Sequence, residues 1–365
     1  MQRRPLTLAV AFALVAGTVI VPGVGAAGRP ACLVSNERTH LGSTTLQAGI
    51  DAARAGDTLI VKGTCVGSPP SFPDRGASNV RKSLTIRGVS NKSFGPATLD
   101  GGGVARVLFV DYFDPERRGF SLTLENLTIT NGFGEDGSGG GGLLAQGGTV
   151  VIKDCIVTGN SSGVVGGGGI EATADFMTIT NSTVSNNVAG GDMGGGIYGG
   201  GTLTIEDSAI TGNVNTRGFA GGLYFNGNLT VRNSTVSDNR ARGGGGIFLN
   251  FGTATLTDST VIHNTADLND GGGILIGDDG TMTITNSTVS GNTAGSIAGG
   301  ISNHGTLTFA APPTTVGGNT AQYAPGGVSN NVWSGATVTG GCPSPAGYVT
   351  YYPANSPGDY SGFTC

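Results

Sequence analysis

The sequence predicts an all-β fold, a single-stranded right-handed parallel β-helix built of three-strand coils of about 26 residues with a short N-terminal capping helix. Three observations predict it. One phrase, clearest as MTITNSTVSGN at Met282 to Asn292, recurs at Leu122, Val150, Met177, Leu203, Leu229 and Ala254. Its central Asn or Asp falls at Asn126, Asp154, Asn181, Asp207, Asn233, Asp258 and Asn286, spaced by 28, 27, 26, 26, 25 and 28 residues. A second phrase, Gly-Gly followed by an aliphatic residue, places Leu143, Ile170, Ile197, Leu223, Ile247, Ile274, Ile301 and Val328 at nearly the same period. Within the first phrase apolar residues alternate with Thr, the mark of a half-buried strand. One such repeat cannot bury its apolar side alone, so stacking on the next coil is required. The preference of parallel connections for one hand makes the stack right-handed.

Composition fits a stack better than a globule: 69 of 365 residues are Gly and only 12% are charged. From the start of the chain, Arg3-Arg4, an apolar run from Leu6 to Val24 and Gly25-Ala26-Ala27 read as a secretory signal over residues 1–27. Its removal takes the formal charge from -5 to -7, since it carries Arg3 and Arg4 and no acid. A nucleic-acid partner is disfavoured, because phosphate binding needs a concentrated basic face. No second apolar stretch is long enough to span a bilayer, so the mature chain is expected to be extracellular, free or associated with the cell surface, and monomeric. The β-helix with its N-terminal cap is assigned to residues 28–340 and a disulfide-closed tail to 341–365.

Five cysteines suit an oxidising compartment. Cys32 is paired with Cys65 and Cys342 with Cys365, which leaves Cys155. That residue replaces Ser in the inward column Leu127, Cys155, Ser182, Ser208, Ser234, Ser259, Ser287, so it reads as a buried structural thiol. Leu46, Ile50 and Ala53 recur at helical spacing between Ser43 and Gly56, giving an amphipathic helix that plugs the open end of the first coil. Strands at Thr58 to Lys62, Leu84 to Arg87 and Val104 to Val110 begin the stack, which is expected to run to about eleven coils. Asn160, Asn187, Asn213, Asn239, Asn264, Asn292 and Asn319 predict a ladder of amides along one corner.

The opening LQAGIDAARAGDTLIVKGTC, then SLTIRG, then GGGIYGGGTLTIEDSAITGN resembles secreted bacterial proteins of the pectate-lyase-like right-handed β-helix superfamily, particularly those with repeats like polymorphic outer membrane proteins. The resemblance covers roughly residues 43 to 330 and implies the fold. It leaves the chemistry open, because the superfamily includes lyases, hydrolases, epimerases and adhesins.

Substrates of such enzymes lie along an outer face, so the outward columns carry the candidates. The residue after each Gly-Gly-aliphatic unit reads Leu144, Glu171, Tyr198, Tyr224, Phe248, Leu275, Ser302, Ser329. Tyr198, Tyr224 and Phe248 therefore form a strip suited to stacking on sugar rings. Arg217 and Arg242 border it and suit carboxylates of an acidic glycan. Asp278 and Asp279, with His304 one coil later, resemble fragments of the Asp-Asp and His-Gly segments of polygalacturonases. The preceding coil offers Asn250 but no acid, and the following SNNVWSG lacks the family's Arg-Ile-Lys. Asp114-Pro115-Glu116-Arg117 is similar to an epimerase element but lacks its His. The column Thr123, Val151, Thr178, Thr204, Thr230, Thr255, Thr283, Thr308 resembles the flat arrays of ice-binding solenoids, yet Glu125, Lys153, Glu206 and Arg232 interrupt the column beside it. His40, His263 and His304 are scattered, and Asp154, Asp207 and Asp258 occupy every second coil, so no metal site is expected.

Two functions remain. One is a noncatalytic carbohydrate- or surface-binding adhesion module. The other is a polysaccharide lyase or glycoside hydrolase acting on a uronic glycan, with Ca²⁺ entering only for a lyase. No cofactor is required by either the repeat or the candidates.

Overall fold

The computed structural model of the chain describes residues 31–68, 76–110, 119–134, 138–163, 165–312, 314–323, 327–331, 337–340 and 349–352. The secretory signal, the Asp114 segment and the Cys342–Cys365 pair lie outside these residues. The chain folds as a right-handed parallel β-solenoid of about nine turns. The expected eleven coils are met only as eleven strands stacked in register in the longest column, from Thr58–Val66 to Thr337–Gly340, since the coils at both ends are incomplete. No helix among the described residues is long and apolar enough to cross a membrane.

Alternation drives the architecture. Ile86, Leu124, Ile152, Ile179, Ile205, Val231, Leu256 and Ile284 stack inward and are almost fully buried, while the Thr residues between them face out. Each such aliphatic contributes roughly 1.5–3 kcal/mol on burial, and the column continues as long as the repeat does. A coil has three strands where the first two segments merge, as in Ile197–Glu206, Ala209–Thr211 and Val214–Asn215. It has four where they stay apart, as in Ile170–Ala172, Phe176–Thr180, Thr183–Ser185 and Val188–Ala189.

The corner between the last two strands holds the amide ladder. Asn213 Nδ2 donates to Asn239 Oδ1 at 3.0 Å and to the Val184 carbonyl at 2.9 Å, and its Oδ1 accepts from Asn187 Nδ2 and the Asn187 N–H. The same pattern runs from Asn160 through Asn292 to Asn319. At the preceding corner each Ser hydroxyl accepts an N–H from the coil before it, as Ser234 Oγ does from Ser208 at 3.1 Å. Cys155 keeps half of this pattern: its N–H donates to Ser182 Oγ at 3.0 Å and its thiol faces the Lys153 carbonyl at 3.1 Å. Burial pushes that thiol up to about 11, and it is free.

At the N-terminal end the helix is Leu46–Ala52, shorter than Ser43 to Gly56. Thr45 is the N-cap, accepting from the Ala48 N–H at 3.3 Å, because Ser43 belongs to a two-residue strand, Gly42–Ser43. Leu46, Ile50 and Ala53 are buried against the first coil as expected. The sequence did not announce a second cover. Cys32–Asn36 pairs antiparallel with Thr58–Val66, and Cys32 is bonded to Cys65. Asp57 ties this cover to the helix, accepting from Asn36, the Arg38 guanidinium and the Arg54 N–H. The Arg38 guanidinium and these donors hold its carboxyl well below the usual range. At the other end, Val349–Tyr352 pairs parallel with Val328–Asn331, so this part of the expected tail adds a rung to the stack.

Candidate functional site

The predicted outward column forms in register: Leu144, Glu171, Tyr198, Tyr224, Phe248, Leu275, Ser302 and Ser329 are successive partners. Tyr198 and Tyr224 meet edge to face at 5.6 Å between ring centroids, and Tyr224 and Phe248 at 4.8 Å. The strip is not an open platform. Tyr224 is 7% and Phe248 9% exposed, because the turn entering each coil folds back over the column. Phe219, bridged on its own column to Met193 and Gly243, lies 5.5 Å from the Phe248 ring. The cover comes from these turns within the repeat. Only Tyr198 stays half-buried; burial, and then the Glu171 charge, raise its phenol.

Arg217 and Arg242 sit exposed on those turns. Arg242 Nη1 donates to the Arg217 carbonyl at 3.3 Å, and among the described residues neither guanidinium pairs with a carboxylate. Arg240, between them in sequence, does pair, with Asp267 at 2.9 Å.

A different place breaks the repeat. Parallel register holds through the stack, but it shifts between Phe225 and Asn226 and again between Leu249 and Phe251. Three successive first strands grow from 10 to 11 to 12 residues: Leu223–Arg232, Ile247–Thr257 and Ile274–Thr285. Asn250, then Gly277 and Asp278, are the extra residues. A β-bulge turns side chains out of the regular pleat, and bulges gather beside functional sites. A glycine column just beyond makes the bend possible: Gly227 has φ of 138°, and a Cβ there would lie 2.3 Å from the Gly201 carbonyl oxygen.

The bulges line up a polar track along the solenoid. Asn226 lies near enough to the Tyr198 phenol to offset part of the rise that burial gives it, and its Oδ1 accepts from Asn250 Nδ2 at 3.1 Å. Further along, His304 Nδ1 lies 3.9 Å from Asp278 Oδ1, and its Nε2 is 3.2 Å from Ser302 Oγ. Phe251 stands beside the track, 48% exposed, with Asn226 and Asp279 as its in-register neighbours. From the sequence, Asp278 and Asp279 are expected one coil from His304, and Tyr198 in a separate aromatic strip; the structure brings His304 beside Asp278 and sets Tyr198 on the same track. The sequence reading passed over Asn226, Phe251 and a second exposed ring, Phe176. The signal for the first two was present: Gly-Gly-aliphatic spacing contracts to 24 residues between Leu223 and Ile247, while the central Asn or Asp spacing swings from 25 to 28.

This track does not hold two opposed carboxylates around a scissile position. Asp278 and Asp279 are adjacent in one strand, and the coils before them offer Asn226 and Asn250. At the outer corner Asn and Asp alternate, with Asn286 Nδ2 donating to Asp258 Oδ1 at 2.6 Å, and Asn181 and Asn233 pairing likewise with Asp154 and Asp207. These residues have left-handed φ near 50°, a conformation Asn and Asp tolerate. No group of three metal-ligating side chains occurs among the described residues.

A protein-family model described as the right handed beta helix region matches residues 116–294 and, overlapping them, 223–331, more than half of the chain. No curated protein and no solved structure matches significantly.

Proposed function

The chain belongs to the right-handed β-helix family, and we propose that it is a noncatalytic module which binds carbohydrate along its outer face. One observation carries this reading: the register breaks in the middle of a polar track that runs over five successive coils, from Tyr198 through Asn226, Asn250 with Phe251, and Asp278 to His304. An exposed ring flanked by amides, a phenol and a carboxylate is the chemistry a pyranose needs, with the ring under its C–H face and the polar groups at its rim. The family's fold serves binding and catalysis alike, so the site and not the fold has to decide.

The leader-like residues 1–27 and the bonded Cys32 and Cys65 support work outside the cell, and the reading takes the protein as a monomer that calls for no cofactor. Tyr224 and Phe248 then hold the turns in place, and Arg217 and Arg242 lie at the margin of the binding face. The 3.9 Å approach of His304 to Asp278 favours a second reading, hydrolysis of a glycan, in which Ca²⁺ has no part.

Titration calorimetry with oligosaccharides tests the proposal. Phe251→Ala is expected to weaken binding about tenfold, the loss of one stacking contact of roughly 1.4 kcal/mol. Tyr224→Ala, checked for folding, is expected to act through stability alone. Absence of binding to every neutral and uronic oligosaccharide sinks the proposal. Release of reducing ends, or absorbance growing at 235 nm, that disappears in Asp278→Asn replaces it with the enzyme reading.

A further inference from the structure

Beyond Phe251, which the sugar site uses, the same strands continue into a face of Thr residues that it does not. Thr253, Thr281 and Thr306 are partners in register, and two residues along so are Thr255, Thr283 and Thr308. All six are half-buried or exposed on the outside of the sheet. They form a lattice with a rung spacing of about 4.8 Å and a column spacing of roughly 6.6 Å. β-Branching stiffens each side chain, so the hydroxyls are ordered before anything binds and little entropy is lost on contact.

The lattice carries no charge. It begins where the last charged pair of its flank, Glu206 with Arg232, ends. Its near edge is acidic: Asp279 follows Phe251 in register, and Asp278 is 71% exposed. Two exposed rings stand on the same face. Phe251 lies two residues before Thr253, and Phe176, 58% exposed, occupies the Thr253 column three rungs earlier, about 14 Å away.

We infer that this face binds an ordered solid of neutral, β-linked polysaccharide, its chains running along the solenoid axis; the inference rests on the sugar-binding reading of the adjacent bend. A pyranose in an extended β-linked chain advances by nearly the rung spacing, so its hydroxyls meet Thr after Thr without strain. Two columns make a flat patch of hydroxyls wider than one row, which the surface of a solid covers more fully than a single soluble chain does. A uronic polymer is repelled by Asp278 and Asp279, and a neutral one is not.

The test uses the full mature chain and three probes: microcrystalline cellulose and β-chitin in sedimentation assays, cellohexaose and chitohexaose in titrations, and polygalacturonate as the charged control. Wild type is expected to sediment with a neutral solid and to ignore polygalacturonate. The double change Thr255→Glu with Thr283→Glu is expected to lower partition onto the solid about tenfold while leaving hexasaccharide affinity unchanged. The same pair changed to Val keeps the branching, removes the hydroxyls, and should also lower partition. Phe251→Ala should lose both activities. Hexasaccharide binding with no sedimentation, or sedimentation untouched by both double variants, overturns the inference and leaves the sugar site standing. Loss of both kinds of binding in wild type overturns the two together. Incorporation into growing ice in place of retention on polysaccharide assigns the lattice to another occupant and overturns it as well.

Discussion

The Asn corner and the bulged bend lie on the same coils and follow opposite rules. At the corner every coil repeats: Asn187, Asn213, Asn239 and Asn264 are fully buried, and each amide bonds both the coil before it and the coil after it. At the bend no two successive coils agree, and Asn226, Asn250 and His304 are half-buried groups whose positions change with each inserted residue. A buried amide left without partners costs about 1–3 kcal/mol per group, so the corner cannot vary. The bend faces water, which satisfies whatever polar group is placed there, so insertion is tolerated and can be used. In this solenoid, repetition marks what holds the stack and departure marks what the stack presents.

The largest expected effect breaks the corner. Asn213→Ala removes a side chain bonded on both sides and leaves the Val184 carbonyl and the Asn187 N–H short of partners. A loss of about 3 kcal/mol or more is expected, read as a lower urea midpoint by circular dichroism. Replacing Cys32 and Cys65 by Ala opens the loop that the disulfide closes and is expected to cost about 3–4 kcal/mol, with N-terminal amides showing the fastest exchange. Equal exchange across the stack would mean that the cap does not fray alone.

Deleting Asn250 sharpens the comparison from the other side. The coil then loses one bulge, and stability is expected to change by less than about 1 kcal/mol while glycan affinity falls about tenfold. A strong loss of stability without loss of binding would reverse the roles assigned to corner and bend.

The smallest effect concerns the Ser column. Cys155→Ser restores the residue of the neighbouring coils and should change stability by less than about 1 kcal/mol. The thiol's own pH dependence has a definite sign. Its pKa in the folded chain is about 11, above an ordinary value near 9, so the unfolded chain ionises first. Stability is full below pH 9 and declines as pH rises through 11, and Cys155→Ser should lack that decline. Asp57 runs the opposite way. Its folded pKa is depressed, so the stability it adds is present above the ordinary carboxylate range and is lost as pH falls through it; acid unfolding in Asp57→Asn should lose that step.

The sequence by itself determined the stack. A period near 26 residues, Thr alternating with aliphatics, and the Asn and Ser columns specify which residues share a column, because one coil cannot bury its own apolar side. Even the order of the Tyr198, Tyr224, Phe248 column was legible, and Cys155 was recognisable as a stand-in for Ser. Only the tertiary structure decided exposure. Phe219 reaches the Phe248 ring from a turn whose path is set by the coils on either side, so three aromatics that look outward in sequence become a covered cluster. The antiparallel Cys32–Asn36 cover and the contact of Asn226 with Asn250 likewise needed the structure, whereas the approach of His304 to Asp278 followed from stacking alone. Periodicity records which residues stack, since each coil meets its neighbours at a fixed offset. It does not record how a turn folds back over a strand or where one extra residue turns a side chain, because those depend on contacts between segments with no common spacing.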